Sequence, residues 1–460
     1  MPLITGWCRK LLVLAALLLV PQAGAAQSVT LDIATARAVA EQAVLTGNPV
    51  LARQIALGLL QRDNADIGAL LTLATAEVLL GNPSAARKAA VRAFRATRDS
   101  GARYEAARLA AKAGFEQGRL TLAQLWLRRA LDSAPDAATW QDTVAGFRQV
   151  QAQNRWRTRL QFSAAPSSNV NQGSSAGRLI INGVPTILSF SGDAMALSGL
   201  TYGITLGTGY VIGATAQSRT ELGAQLVVNG VVMSDQARRQ APGASNADYA
   251  YQAAELTLTH QFQPRTGALP MAATVLAGAN WYGGKPLTSY ARAQLDFATP
   301  LQGPQRLGWQ VLAERQWPQD GSDPLTVLAL NGSYQRQLTS GDRAGLQIGV
   351  VSQSSANANS GNLALTAAVS YALARPVGPA QVSFSLSATS RDYPVFFSNQ
   401  FNLDGRRDLK VGVTLDLAFP KAQVMGFAPT LSLSASHTGS NVSRFEQDAF
   451  GVQFGLKSLF

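Results

Sequence analysis

Cysteine and histidine, the side chains most used for disulfides and transition-metal sites, are almost missing from this chain. Its 460 residues include one cysteine, Cys8, and two histidines, His260 and His437. Cys8 lies in an amino-terminal segment that we expect to be removed, so we predict a mature protein without disulfides or cysteine metal sites. Because Cys8 precedes the apolar core of that segment, it is not placed for lipoprotein processing either.

Patterns that indicate a catalytic centre are also scarce. The two histidines stand far apart, and we expect no Gly-x-Ser-x-Gly elbow, the strand-to-helix turn that carries the nucleophile of many hydrolases. The acidic residues are scattered and lack the spacing of a calcium-binding loop. We therefore predict that the protein is not an enzyme and that it binds no cofactor and no metal.

Charged residues make up only 14% of the chain, and the positive ones are not concentrated in any segment. Residues 27–155 and residues 156–460 each carry a net charge of +5. Nucleic-acid binding would require a basic patch on a recognisable module, and the sequence has neither. We therefore exclude nucleic acid as a partner.

Long apolar runs are missing after the first residues. Arg9 and Lys10 precede the ten-residue apolar stretch Leu11–Val20, and Ala23–Ala25 supplies small residues for cleavage. This order is typical of a secretory signal peptide, which we assign to residues 1–26 and expect to be cleaved. No later apolar run reaches about 18 residues, so the sequence predicts no membrane-spanning helix.

Residues 27–155 are rich in Ala, Leu and Arg and contain an internal repeat. The segment Gly47–Arg53 recurs 34 residues later as Gly81–Arg87. Small residues of this second repeat recur again after a further 37 residues. We expect the three added residues to lie in the turn around Asp99–Gly101. A 34-residue period with Gly at the turn resembles the tetratricopeptide repeat, which implies stacked helix pairs.

A stack of such helix pairs leaves a concave groove, and grooves of this kind usually bind peptides or proteins. We therefore predict an all-α, tetratricopeptide-like domain in residues 27–155 that lies in the periplasm. We expect it to engage a transported protein, the cargo, or periplasmic partners. A helical spacer without a ligand is the alternative. We expect Arg87, Arg95 and Arg128 to be solvated surface residues.

Residues 156–460 read as repeated strands with one apolar and one polar face. Between Leu409 and Phe419 the apolar residues stand at every second position, alternating with Lys410, Gly412, Thr414 and Asp416. Turn residues divide this region into about fourteen strands. They begin near Trp156, Gly199, Arg219, Asp248, Leu269, Leu287, Leu307, Pro324, Ala344, Asn362, Pro379, Asp408, Phe427 and Asp448.

Connections between these strands alternate in character. One set is compact and rich in Pro or Gly, whereas the other includes the long segments Ser167–Ala194, Ser234–Ala247 and Asp392–Arg407. Short turns at one end and longer loops at the other are typical of transmembrane antiparallel β-barrels. We therefore predict an outer-membrane β-barrel of about fourteen strands in residues 156–460, in contact with outer-membrane lipid.

The last residues of the chain form a strand with an apolar face. Phe450, Val452, Phe454, Leu456 and Phe460 share that face. A terminal strand that ends in Phe resembles the targeting strand of bacterial outer-membrane barrels. This resemblance implies that the barrel assembly machinery is a partner and that these residues serve insertion.

Four short motifs precede the Phe-ending strand, in the order Trp156–Phe162, Pro166–Asn171, Arg406-Arg407-Asp408 and Gly439–Val442. Together and in this order, they resemble the motifs of surface lipoprotein assembly modifiers (Slam proteins). The resemblance covers nearly all of the mature chain. Ser167 replaces an Asp that is common in that family's first loop, and His437 stands close to a position where the family often has Arg.

Membership of that family would imply a fourteen-stranded translocator of the type XI secretion class. Such proteins move lipoproteins, or sometimes soluble proteins, from the periplasm to the cell surface. Asn169, Asn171 and Asn441 would then order loops or turns, because Asn side chains bond to nearby backbone. The alternative function is a passive porin for small solutes with a periplasmic docking domain. We expect a monomer, and the sequence leaves the cargo open.

Alternation along the first and last strands also predicts a cluster of charge. If Trp156, Thr158, Leu160 and Phe162 face lipid, Arg157 and Arg159 face the lumen. Lys457 on the last strand faces inward by the same argument. Because the first and last strands must be neighbours in a closed barrel, we expect these three cations to gather at the periplasmic mouth. Pairing with nearby Asp or Glu is the alternative role.

Overall fold

The computed structural model of the chain describes residues 32–265, 267–299, 301–398, 401–403 and 405–459. The predicted signal peptide and Phe460 lie outside these residues. Within them, the chain begins with helices and continues with strands. No helix of the described residues is long and apolar enough to cross a membrane.

Seven helices precede the first strand in the described part of the chain, and they confirm the predicted repeats. The second helices of successive pairs, α2, α4 and α6, begin 34 and then 37 residues apart. The helices are α1 (Ile33–Leu45), α2 (Pro49–Arg62), α3 (Ile67–Leu79), α4 (Pro83–Ala96), α5 (Ser100–Glu116), α6 (Leu120–Leu131) and α7 (Ala137–Gln153).

The turn within each helix pair explains the repeated Gly-Asn-Pro. Gly47 and Gly81 adopt φ of 77° and 73°, a left-handed conformation that ends the first helix at little cost only for glycine. Pro then starts the second helix at its first position, where a missing N–H costs nothing. The three added residues lie near the predicted place in the sequence, but they form helix rather than turn. They extend the start of α5, which begins at Ser100 and has 17 residues, against 13 in α3.

Two compact units divide the described chain, one up to Arg98 and one from Asp99 onward. The first contains α1–α4. The second contains α5–α7 together with all of the strands of the barrel. The last helices therefore form one body with the barrel, although the sequence pattern changes only near Asn154.

Fourteen antiparallel strands form a closed barrel, which confirms the predicted fold class. All fourteen begin within four residues of the predicted starts. The strands are β1 (Trp156–Ser167), β2 (Gly199–Ala214), β3 (Ser218–Met233), β4 (Tyr251–Phe262), β5 (Met271–Tyr282), β6 (Lys285–Thr299), β7 (Gln305–Pro318), β8 (Leu325–Gln337), β9 (Arg343–Ser354), β10 (Asn362–Ala372), β11 (Gln381–Tyr393), β12 (Arg406–Ala418), β13 (Phe427–Ser440) and β14 (Gln447–Ser458).

The two ends of the barrel differ, as the alternating connections predict. At the terminal end, where β1 begins at Trp156 and β14 ends at Ser458, the connections are eight residues or shorter. At the opposite loop end lie the long connections 168–198, 234–250 and 394–405. An even number of antiparallel strands returns both ends of the barrel chain to the terminal end.

Apolar side chains of the barrel strands lie on its outer surface. Leu160, Leu256 and Leu456 are 65%, 63% and 58% exposed, and similar residues occur on every strand from β1 to β12 and on β14. On β12 the outward face carries Leu409 and Val411, as the alternation predicts. This distribution is the reverse of that in a soluble protein, where large contiguous apolar surfaces are rare.

Candidate functional site

A cavity of about 1350 Å³ occupies the terminal end of the barrel lumen. Side chains of Gln124 and Arg128 on α6 and of Phe147 and Gln151 on α7 form part of its wall. The rest of the wall comes from β1–β4 and β8–β14 and from the connections between these strands. Two helices of the repeat domain therefore border the lumen directly.

Arg157, Arg159 and Lys457, the three cations predicted at this end, all line the cavity. Arg157 also interacts with a carboxylate, since its Nε lies 3.8 Å from a Glu221 oxygen, and Arg219 binds the same carboxylate. The remaining charged residues of the wall are Arg128, Arg343, Glu221, Glu255 and Asp416. Five cations thus face three carboxylates, which leaves the cavity net positive.

Arg128 is a functional candidate that the sequence analysis missed, because it was expected to be a solvated surface residue. Its guanidinium stacks between the Phe147 and Phe427 rings, 4.7 and 4.4 Å from their centroids. It donates hydrogen bonds to the Met425 carbonyl and to Ser458 Oγ, both at 3.1 Å. Burial lowers the pKa of Arg128 from its ordinary value, although an arginine stays charged at neutral pH.

Further contacts attach α6 to the barrel rim and to the start of β1. The Met425 N–H donates to Asp132 Oδ1 at 3.2 Å, just beyond the end of α6. Asn154, between α7 and β1, donates from Nδ2 to Thr121 Oγ1 at 3.1 Å. Its Oδ1 accepts the Trp156 N–H at 2.9 Å. No feature of the sequence repeat predicts the bond between Met425 and Asp132, because these residues are 293 positions apart.

At the loop end, Arg406 is the centre of a buried aromatic cluster. Its guanidinium carbon lies 3.6 Å from the Tyr393 ring centroid, 3.7 Å from that of Phe445 and 4.8 Å from that of Phe396. Arg406 is only 6% exposed, and its Nε donates to Asp408 Oδ2 at 3.2 Å. By contrast, Arg407 points outward and lies 3.6 Å from Asp392.

Asn169 and Asn171 order the long connection after β1. The Asn169 side chain exchanges two hydrogen bonds with the backbone of Gly173, at 2.9 and 2.8 Å. Asn171 donates to the carbonyls of Asp193 and Met195 from across the same connection. Gly173 is required here, since a Cβ at this position would lie 2.3 Å from the Met195 oxygen.

Asn441 and Ser443 link that same connection to the one before β14. Asn441 accepts the Arg407 N–H at 2.8 Å and donates to Asn182 Oδ1 at 3.0 Å. Ser443 Oγ accepts the Ile180 N–H at 2.8 Å. The loop cluster, which we define as the buried side chains of Leu179, Ile181, Phe396 and Val442, packs around these bonds. The motif residues therefore hold three separate connections together.

The last strand carries its predicted apolar face outward over the described residues. Phe450, Phe454 and Leu456 are exposed on β14, and Val452 is half-buried. Phe460 lies outside the described residues. The alternation of β14 places these four side chains on the face opposite Lys457, as a strand that contacts lipid requires, and Leu456 also borders the cavity at the terminal end.

The two histidines of the barrel belong to local hydrogen-bond pairs. His260 Nδ1 lies 2.9 Å from Thr220 Oγ1, and the exposed His437 bonds to Asp448 on the neighbouring strand. Gly173–Gly177 does have the Gly-x-Ser-x-Gly spacing, but it lies in the long connection after β1 rather than between a strand and a helix. No group of three metal-ligating side chains occurs among the described residues.

Replacing Arg406 by alanine is expected to loosen the loop cluster. The change removes the cation from three rings and leaves Asp408 without its buried partner, a loss of about 3–5 kcal/mol. Trypsin should then cleave the intact protein at the exposed Arg178, which lies in a hairpin of the connection after β1 formed by Arg178–Ile181 and Val184–Ser189. Arg407→Ala is the matched control, because Arg407 is exposed and has a weak ion pair. Equal cleavage rates in the two variants would exclude this role for Arg406.

Comparison with solved structures finds distant likenesses to each part of the chain. An outer membrane channel from Pseudomonas putida F1 is 12% identical, with 65% of this chain and 95% of that chain covered and a TM-score of 0.33. OccK9 of Pseudomonas aeruginosa is 10% identical over 65% and 97%, with a TM-score of 0.35. The type III secretion translocator chaperone SycD of Yersinia enterocolitica is 14% identical over 26% and 83%, with a TM-score of 0.25. No protein-family model and no curated protein matches the chain.

Proposed function

We propose that this protein is an outer-membrane translocator that moves proteins from the periplasm to the cell surface. The observation that carries the proposal is the combination of an apolar outer surface on a closed barrel with a charged lumen bordered by α6 and α7. The outer surface implies a bilayer, and the helices imply a large substrate.

A bilayer accounts for the apolar outer surface. A side chain such as Leu256, 63% exposed, would lose about 1.5–3 kcal/mol of burial free energy if it stayed in water. A closed barrel also satisfies the backbone hydrogen bonds of its strands, as lipid requires. The terminal end, which carries the helices, would face the periplasm, and the longer connections would face the outside, as in bacterial outer-membrane barrels.

Two features support transport of protein rather than free diffusion of solutes. The helices form stacked pairs of a type that commonly binds peptides or proteins. Moreover, α6 and α7 lie at the mouth of the lumen, where a simple pore needs no helices. The resemblance of the motifs at Asn169 and Arg406 to surface lipoprotein assembly modifiers suggests surface lipoproteins or soluble secreted proteins as cargo.

Reversing the charges at the cavity tests this proposal. Changing Arg157, Arg159 and Lys457 to Glu replaces three of the five cations that line it. If the cargo moves along this wall of the cavity, we expect surface display of the cargo by this variant to fall by about tenfold or more. That fall is equivalent to about 1.4 kcal/mol of lost interaction free energy. Surface display is measured by protease accessibility of the cargo on intact cells.

A matched control separates transport from assembly. Changing the exposed Arg265, Arg407 and Lys421 to Glu alters the net charge equally, at positions that do not line the cavity. Both triple variants should give the same heat-modifiable barrel in outer-membrane fractions. Normal display by the Arg157, Arg159 and Lys457 variant would leave these cations with a structural role only and would count against this route for cargo.

A further inference from the structure

The barrel closes through a seam that is much less complete than its other strand pairs. Among the described residues, β1 and β14 are aligned at three positions, Ser163 with Gly455, Ala164 with Phe454 and Ser167 with Gly451. By contrast, β1 is aligned with β2 at twelve positions, from Trp156 to Ser167. The half of β1 that lies at the terminal end of the barrel, Trp156–Phe162, is therefore paired with β2 only. Its other edge faces the open part of the seam.

Hydrogen-bond directions along β1 identify the groups at this open edge. Ser168 donates its N–H to the Phe450 carbonyl of β14, so the even-numbered residues of β1 direct their backbone groups to the seam. The Arg155 carbonyl accepts from Val211, so the odd-numbered residues bond to β2. The N–H and C=O of Leu160 therefore point into the open seam, where they can pair with an added strand.

Helix α6 holds both sides of the open seam. On one side Arg128 donates to Ser458, the last residue of β14. On the other side Thr121 accepts from Asn154, whose Oδ1 binds the first N–H of β1. Because α6 bonds to both strands at the terminal end, it fixes their separation. The open edge is thus a built feature of the fold rather than a frayed end.

We propose that the open edge of β1 is a strand-addition site for an extended segment of the protein cargo. An exposed strand edge is a template for pairing with another chain, and many proteins bind extended peptides in this way. This inference rests on the proposed function for the identity of the occupant as cargo. It also states which part of the cargo is recognised.

The faces of β1 define the segment that fits. Leu160 and Phe162 are exposed and lie on the opposite face of β1 from Arg157 and Arg159, which line the cavity with Lys457. A strand added beside β1 alternates its own side chains in the same way. The matching segment therefore has apolar residues at every second position and acidic residues between them, so that the acidic side chains face the cations.

Direct binding of a defined peptide tests the site. The probe is a fluorescent twelve-residue peptide of alternating valine and glutamate, and its binding to the full-length protein in detergent micelles is followed by fluorescence anisotropy. One control peptide carries lysine in place of glutamate. The other keeps glutamate and carries a methyl group on every backbone nitrogen. We expect both to bind at least about tenfold more weakly, because one loses the charge match and the other the ladder hydrogen bonds.

A pair of variants at one position tests the edge itself. Leu160→Pro removes an N–H that points to the seam, and Pro166 shows that β1 tolerates proline at such an even-numbered position. Leu160→Ala keeps that N–H. We expect Leu160→Pro to weaken binding of the acidic peptide by about tenfold relative to Leu160→Ala. Equal affinities for the acidic and methylated peptides on the unaltered protein would overturn the proposal without reference to any variant.

This measurement is independent of export. Selective peptide binding by a protein that displays no cargo would keep the strand-addition site and refute the proposed function. Conversely, normal cargo display by a protein that does not distinguish the acidic peptide from its methylated form would refute the site and leave the proposed function standing.

Discussion

Removal of residues 27–98, which deletes α1–α4, should abolish cargo display while the barrel still inserts. The deletion ends at the boundary between the two compact units, so α5–α7 remain with the barrel. Asp99 is retained, and its side chain accepts the Ala102 N–H that caps α5. Because the deleted helices form most of the predicted groove, we expect surface display to fall by more than about tenfold.

A longer deletion, residues 27–150, separates two roles of the helices. It also removes α5, α6 and nearly all of α7, including the Arg128 contacts with Met425 and Ser458. We expect this variant to lose display as well and, in addition, to show a less heat-stable barrel on gels. Undiminished display by the shorter deletion would show that α1–α4 do not bind cargo.

Deletion of Phe460 is expected to reduce the amount of inserted barrel rather than the activity of each molecule. The prediction follows from the sequence pattern of the last strand, since Phe460 itself lies outside the described residues. The exposed apolar side chains of Phe450, Phe454 and Leu456 on β14 continue the same pattern. Loss of the terminal aromatic group should lower heat-modifiable barrel in outer-membrane fractions by about tenfold, if recognition loses about 1.4 kcal/mol.

Phe460→Tyr is the control for that deletion, because it keeps an aromatic carboxyl terminus. It should insert as the unaltered chain does. Cargo display per inserted molecule should be the same in all three proteins. An unchanged amount of inserted barrel after deletion of Phe460 would refute its role in targeting.

The strands could be predicted from the sequence because lipid and lumen impose opposite demands on alternate residues. Leu409 and Val411 are exposed on β12 while Asp416 lines the cavity, and this contrast is visible as a period of two. The repeat helices were equally predictable, since Gly81 and Pro83 end one helix and start the next. Both signals are local, so they survive in a single sequence.

The contacts between distant segments could not be predicted in this way. Arg128 occupies a helix position typical of a solvated arginine, and only the turn at Met425 and the ring of Phe427 make it part of the barrel rim. The incomplete seam between β1 and β14 is equally hidden, because the alternation of β1 is regular throughout. Arg406 was identified through its motif, but the three rings around it come from the end of β11, from the connection after β11 and from the connection before β14.

Surface exposure of a protein cargo is the measurement that tests the central claim most directly. The candidate cargoes are the lipoproteins and small secreted proteins of the genome that encodes this chain. Each is produced in cells with and without the chain, and protease is added to the intact cells. The account predicts degradation of the cargo only when the full-length protein is present. Cargo that stays protected in cells with a normally inserted, heat-modifiable barrel would contradict the account.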